Sequence, residues 1–437
     1  MSEVPGVVGH SWPASVAVET VAQSPRERAA AVFRLLDAQA RWSMTVLNLS
    51  PAEGLMSRTA RKALDSDLAS RLSEGLPWNK DVSMPSVMHR WSVELELQIA
   101  ALSSELFGAR YVDWRPVSTT MANAVALSAL TRPGDLVAVQ SLKAGGNMSY
   151  QDGGVCGVLG LRTIDLPGRP DFDVDTPAAS EVIRRHGPRV VIVGGSKVLF
   201  PYDLGALVQA ARDVGAHVVF DAAHLGPFLA AGVFNQPFAD GVAIVTLGTH
   251  KLMGGPVGGL VLTNDPAIAR RVYAATEPRF LQTRDVNKYA ATAIALAELA
   301  EYRVPFARAV QDNVAALSMA LADGGLTLAG QARGWSRSHM LLADLGEPAG
   351  RVCAQLAWNG ILLSNTASFG EDYTLGERSA LRMSVAQLTR RGMGVDQMRD
   401  VASLMLRAIN GADVRREVAD LAAEYRTVCY SFDEGFT

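Results

Sequence analysis

Between residues 136 and 262 the chain alternates short β-branched runs with helical patterns, and this alternation limits the fold more than any other feature. Leu136–Val139, Arg162–Leu166, Val190–Val193, His217–Phe220, Val242–Val245 and Leu260–Leu262 read as strands. Helical spacing over Ala178–His186 and Leu204–Val214 separates several of them. A strand followed by a helix returns to its sheet as a parallel neighbour, so the expected core is an α/β fold: a mostly parallel sheet with helices on both faces. No internal repeat is present. Many unrelated activities use such sheets, so the function has to be sought in the side chains at the strand ends.

On either side of this core the pattern differs. Residues 1 to about 25 are unpatterned and read as an arm lying on the body or on a second subunit. Ala29, Val32, Phe33, Leu36 and Ala40 fall at helical spacing, which predicts a helix over Pro25–Met44 ended by Asn48–Pro51. Val93–Phe107 predicts a second amphipathic helix, stopped at Gly108, and Met121–Leu130 a third. Past Pro266 the chain is helical over Ala267–Thr276 and Val286–Asp323. Strand-like runs follow at Gly324–Gly330, Ser338–Asp344, Ile361–Ser364 and Ser379–Ser384, and the last helices are read at Asp396–Ile409 and Val414–Tyr425. The expected organisation is an arm and helix (1–44), a large domain (45–310) and a smaller α+β domain (311–437).

The chain has 437 residues, 49% of them apolar, and a net charge of −3, which leaves no electrostatic footprint for nucleic acid or an anionic membrane. No apolar run reaches the ~18 residues of a membrane span, and the N-terminus lacks a signal-peptide layout, so the expected compartment is the cytoplasm. Cys156, Cys353 and Cys429 are far apart and odd in number, which fits neither a disulfide framework nor a zinc cluster, and no metal is expected.

The chemistry gathers at two strand ends. Lys251, one of only six lysines, lies in Thr249-His250-Lys251 between the Val242–Val245 and Leu260–Leu262 runs, among glycines that let backbone approach a ligand. A lysine buried there loses its proton readily, and a neutral amine is the nucleophile a Schiff base needs. Thirty residues earlier Asp221 ends the run His217–Phe220, with His224 three residues on. A lysine, an aspartate and a histidine at adjacent strand ends are what pyridoxal phosphate requires: an amine for its aldehyde and a carboxylate to keep its ring nitrogen protonated. Ser118-Thr119-Thr120, opening a helix, offers hydroxyls, free N–H groups and the positive end of a helix dipole to the phosphate. Each feature alone has a commoner explanation: a surface lysine or a plain helix cap. It is their combination that points to the cofactor.

Asp221-Ala-Ala-His224, Thr249-His250-Lys251, Gly258-Gly259 and Leu381–Val385 through Thr389–Met393 resemble serine hydroxymethyltransferase, a fold-type I pyridoxal phosphate family, over roughly residues 45–410. Asp113–Pro116, Leu388–Met393 and Tyr430–Asp433 resemble the threonine transaldolase branch of that family more narrowly. The resemblance implies a three-layer α/β/α large domain, Lys251 as the Schiff-base lysine and Asp221 as the partner of the ring nitrogen. It also places Ser196 and His224 by the ring oxygen, Ser118 to Thr120 on the phosphate, Thr249 and His250 beside the cofactor, and Arg382 on the substrate carboxylate. Glu74 matches the family's acid/base glutamate. A homodimer or dimer of dimers is implied, since sites in the family borrow residues from a second subunit.

The departures lie on the substrate side. Ala144 stands where the family has a histidine stacked on the ring, and Leu72, Asp81 and Val82 replace tyrosines. Ala52 replaces a serine, Phe280–Arg284 replaces a glycine-rich loop near the folate site, and Asn365-Thr366 stands at a pterin-contacting asparagine. The expected function is a folate-independent enzyme of specialised metabolism that cleaves or forms the Cα–Cβ bond of a β-hydroxy amino acid, as aldolase, transaldolase or hydroxymethyltransferase. The first alternative is a C–S β-lyase or decarboxylating deaminase acting on a cysteine S-conjugate, as in lincosamide antibiotic pathways. The second is a catalytically degenerate relative that binds the cofactor without turnover.

Overall fold

The computed structural model describes residues 24–71, 73–75, 89–371, 376 and 378–433. The expected arm before residue 24, and Leu72, Asp81 and Val82, lie outside the described residues. After a helix over Pro25–Ser43, a two-residue strand β1 (Leu47–Asn48) runs beside the C-terminal part of the chain. The strands β2 (Tyr111–Asp113), β3 (Leu136–Gln140), β4 (Arg162–Leu166), β5 (Val190–Gly194), β6 (His217–Asp221), β7 (Ile244–Gly248) and β8 (Gly259–Thr263) then form one sheet in the order β2-β8-β7-β6-β5-β3-β4. From β4 across to β7 every pairing is parallel; β8 and β2 are antiparallel at the edge. The core is therefore the mostly parallel, helix-covered sheet that the alternation predicts.

The reason is visible within each strand. Val190 and Ile192 of β5 enter one buried cluster, while Val191 and Val193 enter the other. Val219 and Ile244 join the first face, and Phe220, Val245 and Leu247 the second. Successive side chains point to opposite faces, so a strand buried on both must be apolar throughout, as Val190–Val193 is. Each fully buried Val, Ile or Leu contributes roughly 1.5–3 kcal/mol, so the central strands fix the sheet.

Boundaries moved where pairing outruns hydrophobicity. The run at Val242–Val245 pairs as Ile244–Gly248, because its register with β6 and β8 continues through Thr246 to Gly248. Of Gly324–Gly330 only β9 (Thr327–Leu328) is a strand, and it joins β10 (Met340–Asp344), β12 (Ser364–Thr366) and β13 (Ala380–Ser384) in a second sheet of order β12-β13-β10-β9. β11 (Ile361–Leu362) pairs instead with β1, and Ser384 N–H donates to Leu49 O at 2.8 Å. Residues 47–49 are thereby fastened to the C-terminal part of the chain. A 38-residue helix, Val286–Asp323, about 57 Å long, runs between the two sheets' segments and packs on the Val395–Ile409 helix and the His89–Phe107 helix.

Candidate cofactor and amino-acid site

Strand order reverses between β3 and β5, so the loops leaving their C-terminal ends diverge and open a crevice, the usual ligand position in such sheets. Asn147, in the loop after β3, donates across it to Ser196 Oγ, in the loop after β5, at 2.9 Å. Gly194 and Gly195 carry the chain to Ser196 with φ of 100° and 131°. A Cβ on Gly194 would lie 2.1 Å from Asp221 O, so only glycine lets β5 end against β6 here.

Asp221, the last residue of β6, is buried. Its Oδ2 accepts from Asn123 Nδ2 at 2.9 Å and its Oδ1 from Ala223 N at 3.1 Å. Burial raises its carboxyl above the usual carboxylate range, an effect only partly offset by the charge of Lys251 and the two hydrogen bonds. Lys251 lies in the turn after β7, half-buried, with Nζ 3.1 Å from His224 Nε2. Burial lowers its amine to about 8; Asp221 opposes this and Arg382 adds to it. His224 is buried and held well below the ordinary histidine value, first by burial and then by the charges of Lys251 and Arg382. Arg382 projects from β13 of the second sheet and brings Nη2 to 3.3 Å from His224 Nε2. The lysine, the aspartate, the histidine and the arginine thus form one group.

The helix Thr119–Leu130 points its N-terminus at the same crevice. Ser118 caps it, its Oγ accepting from Met121 N at 3.1 Å. Thr119 is buried, and its Oγ1 has no hydrogen-bond partner. Gly248, at the end of β7, faces it: a Cβ there would come within 2.6 Å of Thr119 Oγ1. An orphaned buried hydroxyl at a helix N-terminus, kept open by a glycine, is a fitting seat for a phosphate. Thr120 is exposed at the rim. His250 keeps a buried Nδ1 without a partner, and burial beside Lys251 lowers its ring to about 4. These residues fit pyridoxal phosphate: a neutral-leaning amine, a carboxylate on the adjoining strand end and an anion seat with an unspent donor.

Two expected residues, Thr249 and Glu74, sit differently. Thr249 Oγ1 donates to Pro256 O at 2.5 Å, so its hydroxyl closes the lysine loop instead of facing the crevice. Ala144, in the loop after β3, is buried against Gly168, whose added Cβ would meet its methyl at 2.1 Å. Asn147 is the residue of that loop which reaches Ser196. Glu74 is held elsewhere. Its neighbours Ser73 and Gly75 are fastened to Glu96 and Glu277, and among the described residues no hydrogen bond or ion pair joins Glu74 to Lys251, Asp221 or His224.

Sequence reading also missed several members. Asn123 lies one turn after Thr119, and a buried-side amide in the largely apolar Met121–Leu130 stretch, where Ser128 is the only other polar residue, is the signal that could have found it. Thr246, Asn147 and His339 carry no such mark. Lys197 is buried beside Ser196 with Nζ 2.5 Å from Ala367 O and 4.7 Å from the centre of the Phe172 ring. Burial, then Arg382, lowers it to about 7, with Glu371 opposing. The Phe280–Arg284 loop is not charged toward its surroundings: Arg284 turns inward, 3.5 Å from Glu96 and in contact with Glu277, which also holds Arg115 at 3.3 Å.

A lysine and an aspartate on adjoining strand ends, under an anion-ready helix terminus on this sheet order, define the fold-type I pyridoxal phosphate enzymes. The family model for serine hydroxymethyltransferase matches residues 26–405, and the chain belongs to that family. It is similar to the serine hydroxymethyltransferase of Pyrobaculum arsenaticum (33% identity over 392 residues, 88% of this chain and 90% of the relative). That of Thermoplasma volcanium is 34% identical over 395 residues, covering 88% and 92%. The solved L-threonine transaldolase of Pseudomonas fluorescens, in its internal aldimine state, shares the fold with a TM-score of 0.87 over 97% of both chains at 21% identity. The chain is a pyridoxal phosphate-dependent enzyme acting on amino acids.

Proposed function

We propose that this enzyme breaks or forms the Cα–Cβ bond of a β-hydroxy amino acid without folate, as an aldolase or transaldolase of cytoplasmic specialised metabolism. One observation carries the reading: Arg382, a planar fork matched to a carboxylate, reaches the same imidazole as the Lys251 amine, at 3.3 and 3.1 Å. An amino acid whose carboxylate Arg382 grips therefore has its α-carbon next to Lys251.

Lys251, Asp221, Thr119 and the N–H groups at the start of its helix would hold the cofactor. When bound, pyridoxal phosphate supplies an electron sink for the pair left at Cα when a bond there breaks. Asp221 would keep a proton on the pyridine nitrogen, and its burial between β5 and β7 would make that charge pair strong. Arg382 orients the substrate so that the bond to Cβ is the one presented. Glu74 moves the proton at the β-hydroxyl. In this reading Glu74 serves the site of a second copy, as the resemblance implies; within its own chain the neighbouring Gly75 N–H donates to Glu277 at 3.1 Å.

A homodimer fits another feature. The Pro25–Ser43 helix buries no residue, and Phe33, Leu35 and Trp42 are 69%, 69% and 52% exposed. An apolar face this open on a folded chain needs a cover, and a second copy supplies one. Among the described residues no helix is long and apolar enough to cross a membrane.

The test incubates the holoenzyme with threonine, with serine and with a cysteine S-conjugate. Aldehyde and glycine from a β-hydroxy amino acid support the proposal. A keto acid and thiol from the conjugate replace it with C–S β-elimination, and cofactor binding with no product replaces it with a degenerate relative.

A further inference from the structure

His224 is not the end of the hydrogen-bonded group at Lys251. Its Nδ1 lies 3.3 Å from Nε2 of His339, and His339 Nδ1 lies 2.7 Å from Ser384 Oγ. The two imidazole planes are 17° from parallel with centroids 5.3 Å apart, so the rings meet edge to edge through these nitrogens. All three side chains are buried. Arg382 and Ser384, two residues apart on β13, project from the same face of that strand, so one strand supplies both ends of the series.

The direction of the donors follows from one group. A guanidinium donates and cannot accept, so His224 Nε2, which faces Arg382 Nη2 and Lys251 Nζ, must offer its lone pair. Burial keeps the imidazoles neutral, with His339 lowered to about 3. His224 then carries its proton on Nδ1 and donates to His339 Nε2. His339 in turn carries its proton on Nδ1 and donates to Ser384 Oγ, which also accepts from Ala386 N at 3.1 Å. Each ring nitrogen then has one role, set by the Arg382 N–H directed at His224 Nε2.

We propose that His339 and Ser384 are positioning residues that hold His224 as the Nδ1–H tautomer, so that its Nε2 accepts from Lys251 and Arg382. This rests on the reading of Lys251 and Arg382 as the amine and carboxylate ends of the site.

The tautomer is read directly by long-range 1H–15N NMR of the apoprotein labelled at histidine, with cofactor uptake followed by visible absorbance in the same sample. The wild type should show His224 and His339 protonated at Nδ1. Ser384→Ala removes the terminal acceptor and should shift the tautomer ratio about tenfold toward Nε2–H, as loss of one buried hydrogen bond implies. Ser384→Thr keeps the hydroxyl and should restore the wild-type ratio, and equal melting temperatures separate this from misfolding. A wild-type His224 protonated at Nε2, or a Ser384→Ala protein with unchanged tautomers, overturns the inference. An Nδ1–H tautomer in a protein that takes up no pyridoxal phosphate leaves it standing and overturns the reading of the site.

Discussion

Asn123 donates to Asp221 across 98 residues of chain, 2.9 Å from Nδ2 to Oδ2, and its own Oδ1 accepts from Thr246 Oγ1 at 2.7 Å. Thr246 sits on β7, the next strand to Asp221's β6, so the hydroxyl fixes which way the Asn123 amide turns. A carboxylate this deep needs such donors, since burial alone would favour its neutral form. Asp221→Asn should therefore retain the cofactor yet lower kcat by about 10²–10³-fold with little change in KM, because the charge matters as the reaction develops. Turnover within a few-fold of wild type in that variant would place the role on another group.

Lys251 makes a prediction in pH. Its amine is lowered to about 8 by burial, so the neutral nucleophile is scarce below that value and dominant above it. Uptake of pyridoxal phosphate by the apoprotein should accelerate close to tenfold per pH unit from 6 to 7 and level off past about 8, well before an ordinary lysine would respond. Borohydride reduction followed by peptide mass spectrometry should place the adduct on Lys251 and on none of the other five lysines.

The fold was legible because both faces of the sheet are buried: Val190–Val193 and Val242–Val245 stand out as apolar runs without any structure. Lys251 and Asp221 were legible because each stands beside such a run. Asn147 was missed because it lies in an irregular loop, and loop geometry has no period to read. His339 was missed for a different reason: it immediately precedes an apolar strand, and nothing in sequence says that strand will lie against His224. The Glu277, Arg115 and Arg284 cluster joins residues more than 160 apart, a distance at which spacing carries no information.

Lys197 should make the protein more stable at alkaline pH. Its folded value is about 7 against an ordinary value near 10.5, and it is 4% exposed, so solvent screens it little. Below pH 7 both states hold the proton and the cost of the buried charge is fully present. Between 7 and 10.5 the unfolded chain keeps the proton that the folded chain has lost, so folding gains with pH. Lys197→Met should thus melt higher than wild type at pH 7, with the gap closing toward pH 10. A gap that is constant or widens with pH would show that the amine is charged and paired.

Arg382→Lys keeps the charge but loses the planar fork that meets a carboxylate at two points. Amino-acid binding followed by the change in cofactor absorbance should weaken tenfold or more, with cofactor content unchanged. Unaltered titration by glycine or threonine would move the carboxylate site elsewhere.

Serine cleavage should not respond to tetrahydrofolate. A pterin needs a pocket beside the amino acid with polar groups for its ring edge and room for its tail. The expected charge of the Phe280–Arg284 loop does not face that pocket, since Arg284 is buried against Glu96 and Glu277. What bears on folate is the bulk of Phe280 and Leu281, both partly exposed, and the position Asn365-Thr366. There Thr366 is buried in β12 and the Asn365 amide points toward Gly350, with Nδ2 4.0 Å from where a Cβ would stand. A pterin edge buried without its partners loses on the order of a few kcal/mol, enough for a hundredfold drop in affinity. Glu74 does not alter the outcome, because proton transfer at a hydroxyl belongs to aldol cleavage with or without folate. Rates of serine cleavage measured across a tetrahydrofolate series should stay flat while threonine or another β-hydroxy amino acid turns over. Saturable stimulation of serine turnover would mean that the loop has repacked around an intact pocket and that hydroxymethyl transfer to folate is the reaction.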